Sequence, residues 1–184
     1  LGGVNRSTRE SISILEAAGY SVILVETVGV GQAETEVFEM TDIFLVLLSP
    51  GGGDELQGIK RGIIELADIL VVNKSDGNLL ATSKSTMLDY KNALKLLKPR
   101  IKEWTIPILS CSALQKEGIN EAWDQILKLK NHLISTGQLK DNRHKQNEIW
   151  LKNKKKNLIL SAIESDETLI DKLSQTKKTQ WQDI

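Results

Sequence analysis

Short apolar runs and amphipathic stretches alternate from Thr8 to about Leu133. "SVILVE", "DIFLVLLS", "DILVVNK" and "TIPILSCS" are continuous runs of strand length, the pattern of strands covered on both faces. The first is preceded by "TRESISILEAAGY", a helix with a cap at Ser7 or Thr8, apolar Ile12, Leu15 and Ala18, and a closing Gly19. "AETEVFEMT" reads as a short helix or turn and "IKRGIIELA" as a helix. "SKSTMLDYKNALKLLK" carries Met87, Tyr90, Ala93, Leu94 and Leu97 along one side, and "GINEAWDQILKLKNHL" carries Ile119, Ala122, Trp123, Ile126 and Leu133 at helical spacing. Strands and helices in alternation predict an α/β fold, a mostly parallel sheet with helices on both faces.

The pattern changes near Leu139. Residues 1–138 read as the α/β core, and 139–184 as a helical extension rich in Lys, Asn and Gln, without strand signals. Trp150, Leu158 and Leu160 in that extension need cover from the core or from a second subunit. Lys154, Lys155 and Lys156 read either as a nucleic-acid patch or as a solvated helix face, and the neutral chain favours the second. No internal repeat is present.

Composition narrows the class. The 184 residues hold 24 basic and 24 acidic side chains, a formal net charge of zero that gives no general attraction to nucleic acid or anionic membrane. The single cysteine, Cys111, excludes an internal disulfide framework and fits a reducing, cytoplasmic compartment. The apolar runs are far shorter than a membrane span. The chain opens on Leu1, and "LGGVNRSTRE" has no start-like character, so an internal or C-terminal piece of a longer protein is expected.

Four segments carry candidate chemistry, each at the carboxyl end of a predicted strand, where ligands bind in open α/β sheets. "NKSD", Asn73 to Asp76, has what guanine recognition requires. The Asp76 carboxylate can accept from the ring N1–H and the exocyclic amine, a pair of donors that adenine lacks. Lys74 can cover one face of the base with its aliphatic stem, and Asn73 can tie neighbouring loops. The competing reading is a turn in which Asp76 and Gly77 supply turn chemistry alone. One strand–helix unit later, "SCSAL" places Ser112, Ala113 and Leu114 in a turn whose backbone N–H groups can donate to guanine O6. That loop alone would be unremarked; paired with "NKSD" it is specific.

"ETVGVGQ" ends the run "SVILVE". Glu26 sits where a phosphate-bound magnesium ion would lie, and such an ion takes one or two carboxylates with waters and phosphate oxygens. Gly29 lets the backbone approach a terminal phosphate, and Gln32 could orient a water. Against these stand an ordinary strand-end carboxylate paired with a cation, and an ordinary loop amide. "SPGGGDELQGIKRG" holds three glycines followed by Asp54, Glu55 and Lys60, which reads as a conformational switch or as a solvated linker. It is not a phosphate-binding P-loop, since no Gly-Lys-Ser/Thr follows.

Taken together, "ETVGVGQAETEV", "PGGGDELQGIKRGIIELAD" and "VVNKSDG" closely resemble the methylmalonyl-CoA mutase-associated GTPases, the MeaB/ArgK group of the G3E P-loop GTPases, over residues 1 to about 150. The resemblance implies a P-loop NTPase-like fold, binding and slow hydrolysis of GTP with Mg2+, and a chaperone role toward an adenosylcobalamin-dependent mutase, gating cofactor loading and protecting the mutase. It implies a homodimer with C-terminal helices contributing to dimerisation. It places Glu26 in the magnesium site, Asp76 on guanine and Ser112, Ala113 and Leu114 in the base pocket. It makes the loop with Asp54 and Lys60 a switch responsive to the mutase, with Lys60 completing the active site on docking. The family's G-x-x-x-x-G-K-S/T loop and first switch are expected upstream of Leu1, so GTP hydrolysis is expected of the whole protein and not of this chain alone. A metallochaperone of the same fold needs Cys or His clusters for a soft metal, and Cys111, His132 and His144 stand in no ligand spacing. A scaffold without a nucleotide role and a kinase of amino-acid transport are competing functions.

Overall fold

The computed structural model describes residues 7–27, 33–51 and 61–166. Three short parallel strands form its sheet in the order β1 (Leu45–Leu48), β2 (Ile69–Val72), β3 (Ile108–Ser110), with Leu45 opposite Ile69 and Leu70 opposite Ile108. Around them lie α1 (Thr8–Ala17), α2 (Ala33–Phe38), α3 (Arg61–Leu66), a 3-10 turn (Gly77–Leu79) running into α4 (Leu80–Leu94), α5 (Ile119–Ser135) and α6 (Gln138–Glu164).

Alternation along each strand divides the core in two. Val46, Leu48, Leu70 and Val72 meet Val37 of α2, Ile64 of α3 and Tyr90 of α4 on one face. Ile69 and Val71 meet Leu129 and Leu133 of α5 on the other, with Ile101 and Cys111. Side chains two apart on a strand share a face, so a continuous apolar run is what a sheet covered on both sides requires. The expected α/β fold, a parallel sheet with helices on both faces and a helical C-terminal part, is what the chain adopts. Residues 1–140 form one compact unit and 141–184 a second. In the second, Lys154 Nζ stands 4.6 Å from the centroid of the Trp150 ring.

Three expectations need correction. "SVILVE" is not a strand: residues 22–27 carry no ladder, Leu24 is 85% exposed, and only Val25 packs against the core. A strand is completed by a neighbour's backbone groups, and among the described residues none pairs with this segment. Helix α4 starts before Ser83, because the 3-10 turn at Gly77 runs straight into it, and it ends at Leu94, short of Leu97. On α5 the core-facing stripe is half-buried Ala122 and Ile126 with buried Leu129 and Leu133, while Ile119 and Trp123 are exposed.

The amino ends of the strands are fastened by Asp68, 1% exposed. Its Oδ2 accepts from Phe44 N at 2.8 Å, and Arg100 donates through Nη2 to Oδ2 at 2.6 Å and through Nε to Oδ1 at 3.2 Å. Trp104 Nε1 donates to the Asp68 carbonyl at 3.0 Å, and the Arg100 guanidinium lies 4.8 Å over the Phe38 ring. Burial pushes the Asp68 carboxyl up, against the opposing pull of Arg100 and of the Phe44 N–H.

Candidate functional site

At the opposite end of β2 the chain leaves the sheet under tight control. Asn73 N donates to Leu48 O at 2.9 Å, extending the ladder one residue past the strand. Lys74 then takes φ 59°, left-handed backbone uncommon for a side chain with a Cβ and one that persists only where neighbours enforce it. They do: Lys74 N donates to Asn73 Oδ1 at 2.8 Å, Ser75 N to Cys111 O at 3.0 Å, and Ser75 Oγ to Val72 O at 2.9 Å. Gly77, at φ 50°, completes the reversal into α4.

Asp76 occupies the position before the 3-10 turn, where an aspartate ordinarily accepts from the first free N–H groups. It makes no such bond. Its Oδ2 accepts instead from Ser112 Oγ, a hydroxyl 36 residues further on and 1% exposed. Among the described residues Oδ1 accepts nothing. The reading of "NKSD" as turn chemistry alone therefore accounts for Gly77 but not for Asp76.

The second loop is closed by its own backbone. Ser112 N donates to Glu117 O at 2.9 Å and Glu117 N to Ser112 O at 3.1 Å, so residues 112–117 form a small antiparallel loop. Gln115 N donates to Ser112 Oγ at 3.0 Å, which leaves that hydroxyl's proton for Asp76. Ala113 N donates to Asn73 Oδ1 at 3.1 Å, so the Asn73 side chain joins the two loops. Cys111 Sγ lies 3.5 Å from the same oxygen, and burial pushes its thiol up, which keeps it a protonated weak donor at neutral pH. With the amides of Ser112, Ala113 and Gln115 engaged, Leu114 N–H is the one between 112 and 115 with no partner among the described residues. The Leu114 side chain is exposed.

Gly118, just before α5, has φ 73°, and a Cβ there would collide with Ser110 O and stand 3.0 Å from Cys111 Cα. Backbone thus runs against backbone under the Ser112 loop, a closeness open only to glycine.

The structure brings Asn73, Asp76, Ser112 and Ala113 into one hydrogen-bonded group, with Lys74 and Leu114 on its exposed rim. Glu26 is exposed, and no hydrogen bond ties it to that group among the described residues. Gly29, Gln32, Asp54 and Lys60 lie outside the described residues. No set of three or more His, Cys, Asp or Glu among the described residues is placed to hold a metal ion. One carboxylate fits an ion that keeps its waters and phosphate oxygens, and does not fit an all-protein cage. Sequence reasoning missed Ser75, Ser83 and Gly118; only the third carried a signal, a glycine at the start of a helix.

Comparison with known proteins gives the same direction throughout. The family model described as "Methylmalonyl Co-A mutase-associated GTPase MeaB" matches residues 1–168. The mouse methylmalonic aciduria type A homolog, mitochondrial, is 47% identical over 153 residues, covering 83% of this chain and 37% of that protein. GTPase ArgK of Escherichia coli is 43% identical over 167 residues, covering 91% of this chain and 50% of that protein. A solved structure titled as a LAO/AO transport system kinase superimposes with a TM-score of 0.78 at 39% identity, over 91% of this chain and 54% of that one. The chain spans half or less of the length of these two curated relatives.

Proposed function

The chain belongs to the MeaB family of methylmalonyl Co-A mutase-associated GTPases, and from that premise we propose that residues 73–76 and 110–114 read the guanine base of GTP and GDP. The observation that carries this is Asp76: a carboxylate at the carboxyl end of a central strand, held by Ser112 through one oxygen, excused from capping, with its other oxygen unspent among the described residues. That is the state of an acceptor kept for a ligand's donors. Guanine offers two on one edge, N1–H and the exocyclic amine, and Leu114 N–H is the available donor for O6. Lys74, fixed in left-handed backbone and exposed, is the residue to lie along the base.

The whole protein is then a GTPase that serves an adenosylcobalamin-dependent, methylmalonyl-CoA mutase-like enzyme in the cytoplasm, gating cofactor loading and acting as a homodimer. The family description, which joins GTPase to methylmalonyl Co-A mutase, and the names of the relatives, one a GTPase and one a methylmalonic aciduria type A homolog, support the GTPase and its link to the mutase. Magnesium, with Glu26 as its candidate ligand, would supply charge neutralisation at the phosphates. Gly29 is assigned to the terminal phosphate, and Gln32, Asp54 and Lys60 to water positioning and to the switch that answers the mutase.

The test is nucleotide titration on the whole gene product. Wild type binds GDP, Asp76→Ala does not, and Asp76→Asn moves preference toward xanthosine diphosphate, whose edge presents an acceptor where guanine has a donor. Indifference to both changes sinks the guanine site. For the partner, a cobalamin-dependent mutase added to the protein should accelerate GTP hydrolysis, and Lys60→Ala should blunt that acceleration. Hydrolysis unmoved by any such mutase removes the chaperone role and leaves the GTPase.

A further inference from the structure

Ser83 is a hydroxyl in the wrong place for its helix. It sits near the start of α4, 1% exposed, where alanine would be the better helix former and where an unsatisfied hydroxyl would be costly. Its one partner among the described residues is Ser75 Oγ, at 2.5 Å. Ser75 already directs its single hydroxyl proton to Val72 O at 2.9 Å, so in this pair Ser83 donates and Ser75 accepts. Ser75 N–H is likewise engaged, with Cys111 O at 3.0 Å.

Ser75 is thereby held to the end of β2, to the residue after β3 and to α4. It lies between Lys74, whose backbone is left-handed, and Asp76, whose carboxylate meets Ser112. A strained residue beside a functional carboxylate holds its geometry only where the surroundings over-determine it. Among the described residues Ser83 supplies the one fastening of Ser75 that comes from a helix.

We propose that Ser83 is a positioning residue for base recognition: through Ser75 it aims the Asp76 carboxylate at the two guanine donors, and so sets nucleobase selectivity without touching the nucleotide. This rests on the guanine reading above. Loss of the Ser83 hydroxyl lets residue 75 shift, and the resulting error falls on the bond most sensitive to carboxylate direction, the one to the exocyclic amine.

Inosine diphosphate lacks that amine, so the ratio of GDP to IDP affinity, by calorimetric titration of the whole gene product, reports how the carboxylate is aimed. A role in stability alone would change the melting temperature and leave the ratio. Ser83→Ala should weaken GDP about fivefold and lower the ratio about threefold, the scale of one neutral hydrogen bond. Ser75→Ala should do at least as much, and adding Ser83→Ala to it should change the ratio no further, because the two act as one unit. Should Ser83→Ala not fold, Ser83→Cys keeps the volume with a poor donor and should lower the ratio part way. A wild-type ratio in whichever variant folds, or independent effects in the double variant, overturns the inference. Asp76→Asn in the same assay separates the premises. If it too keeps the wild-type ratio, the guanine site itself fails; if it collapses the ratio while the Ser83 variant does not, only the role of Ser83 fails.

Discussion

Strand β2 stands between two aspartates eight residues apart, and the chain uses them in opposite ways. Asp68, at the amino end, is fully spent: Phe44 N–H and the Arg100 guanidinium fill both of its oxygens, and Trp104 takes its carbonyl. Asp76, at the carboxyl end, is half spent, held by Ser112 through one oxygen with the other unengaged among the described residues. A buried carboxylate that satisfies all its capacity inside the protein ties elements together. Under the proposed base recognition, one that is fixed in direction with an oxygen unengaged is the acceptor for a ligand's donors. The two kinds of aspartate cannot be told apart by residue type, only by what each has left.

That contrast can be broken from either end. Asp76→Ala should cost the most in function, about a hundredfold or more in GDP affinity for two charge-assisted bonds, with the nucleotide-free protein losing only about 1 kcal/mol of stability, the scale of the one hydrogen bond from buried Ser112. A large stability loss there would make Asp76 a second structural aspartate. Arg100→Met should do the reverse: about 3 kcal/mol of stability lost in urea titration, because Asp68 stays buried without its partner, and unchanged GDP affinity of the folded protein. Its pH dependence has a definite sign. Burial already raises the Asp68 carboxyl from the ordinary 3.8, and losing Arg100 raises it further. A carboxyl raised on folding favours the fold when protonated, so the variant's deficit should be smallest near pH 3.8 and grow as pH rises through the folded-state value. A deficit that shrinks on going from acid to neutral pH would contradict this.

Smaller changes sharpen the same comparison. Gly118→Ala forces a Cβ against Ser110 O in left-handed backbone, so about 2 kcal/mol of stability should be lost. Unlike Arg100→Met it should also weaken GDP, since the displaced backbone carries Ser112. Weakened stability with wild-type GDP affinity would show that the loop can shift without consequence for the base. Trp104→Phe, which removes the Nε1 donor to Asp68 O together with part of the indole packed against the core, should cost about 2 kcal/mol in urea titration and nothing in binding.

Much of the α/β layering was legible beforehand, because a strand buried on both faces, as β2 is, must be apolar at every position, and β1, β2 and β3 all fall within continuous apolar runs. The "NKSD" tetrapeptide was equally visible, since its residues are local. Visibility failed where a partner is far along the chain. "SVILVE" is as apolar as the other three runs, yet it has no ladder among the described residues, because pairing belongs to the neighbour as much as to the segment. Ser83 looked like one of many polar helix residues; its burial and its bond to Ser75 come from the fold.

From the order of residues alone follow the alternation of strand and helix, the neutral charge, and the presence of an Asn-Lys-x-Asp at a strand's end. The tertiary structure alone decided which aspartate has both oxygens engaged and which has only one engaged among the described residues, through Arg100 arriving from 32 residues away and Ser112 from 36. The reason is physical. Apolar periodicity is a short-range property set by local geometry, whereas the role of a carboxylate is set by the donors that surround it, and those are brought together only by folding.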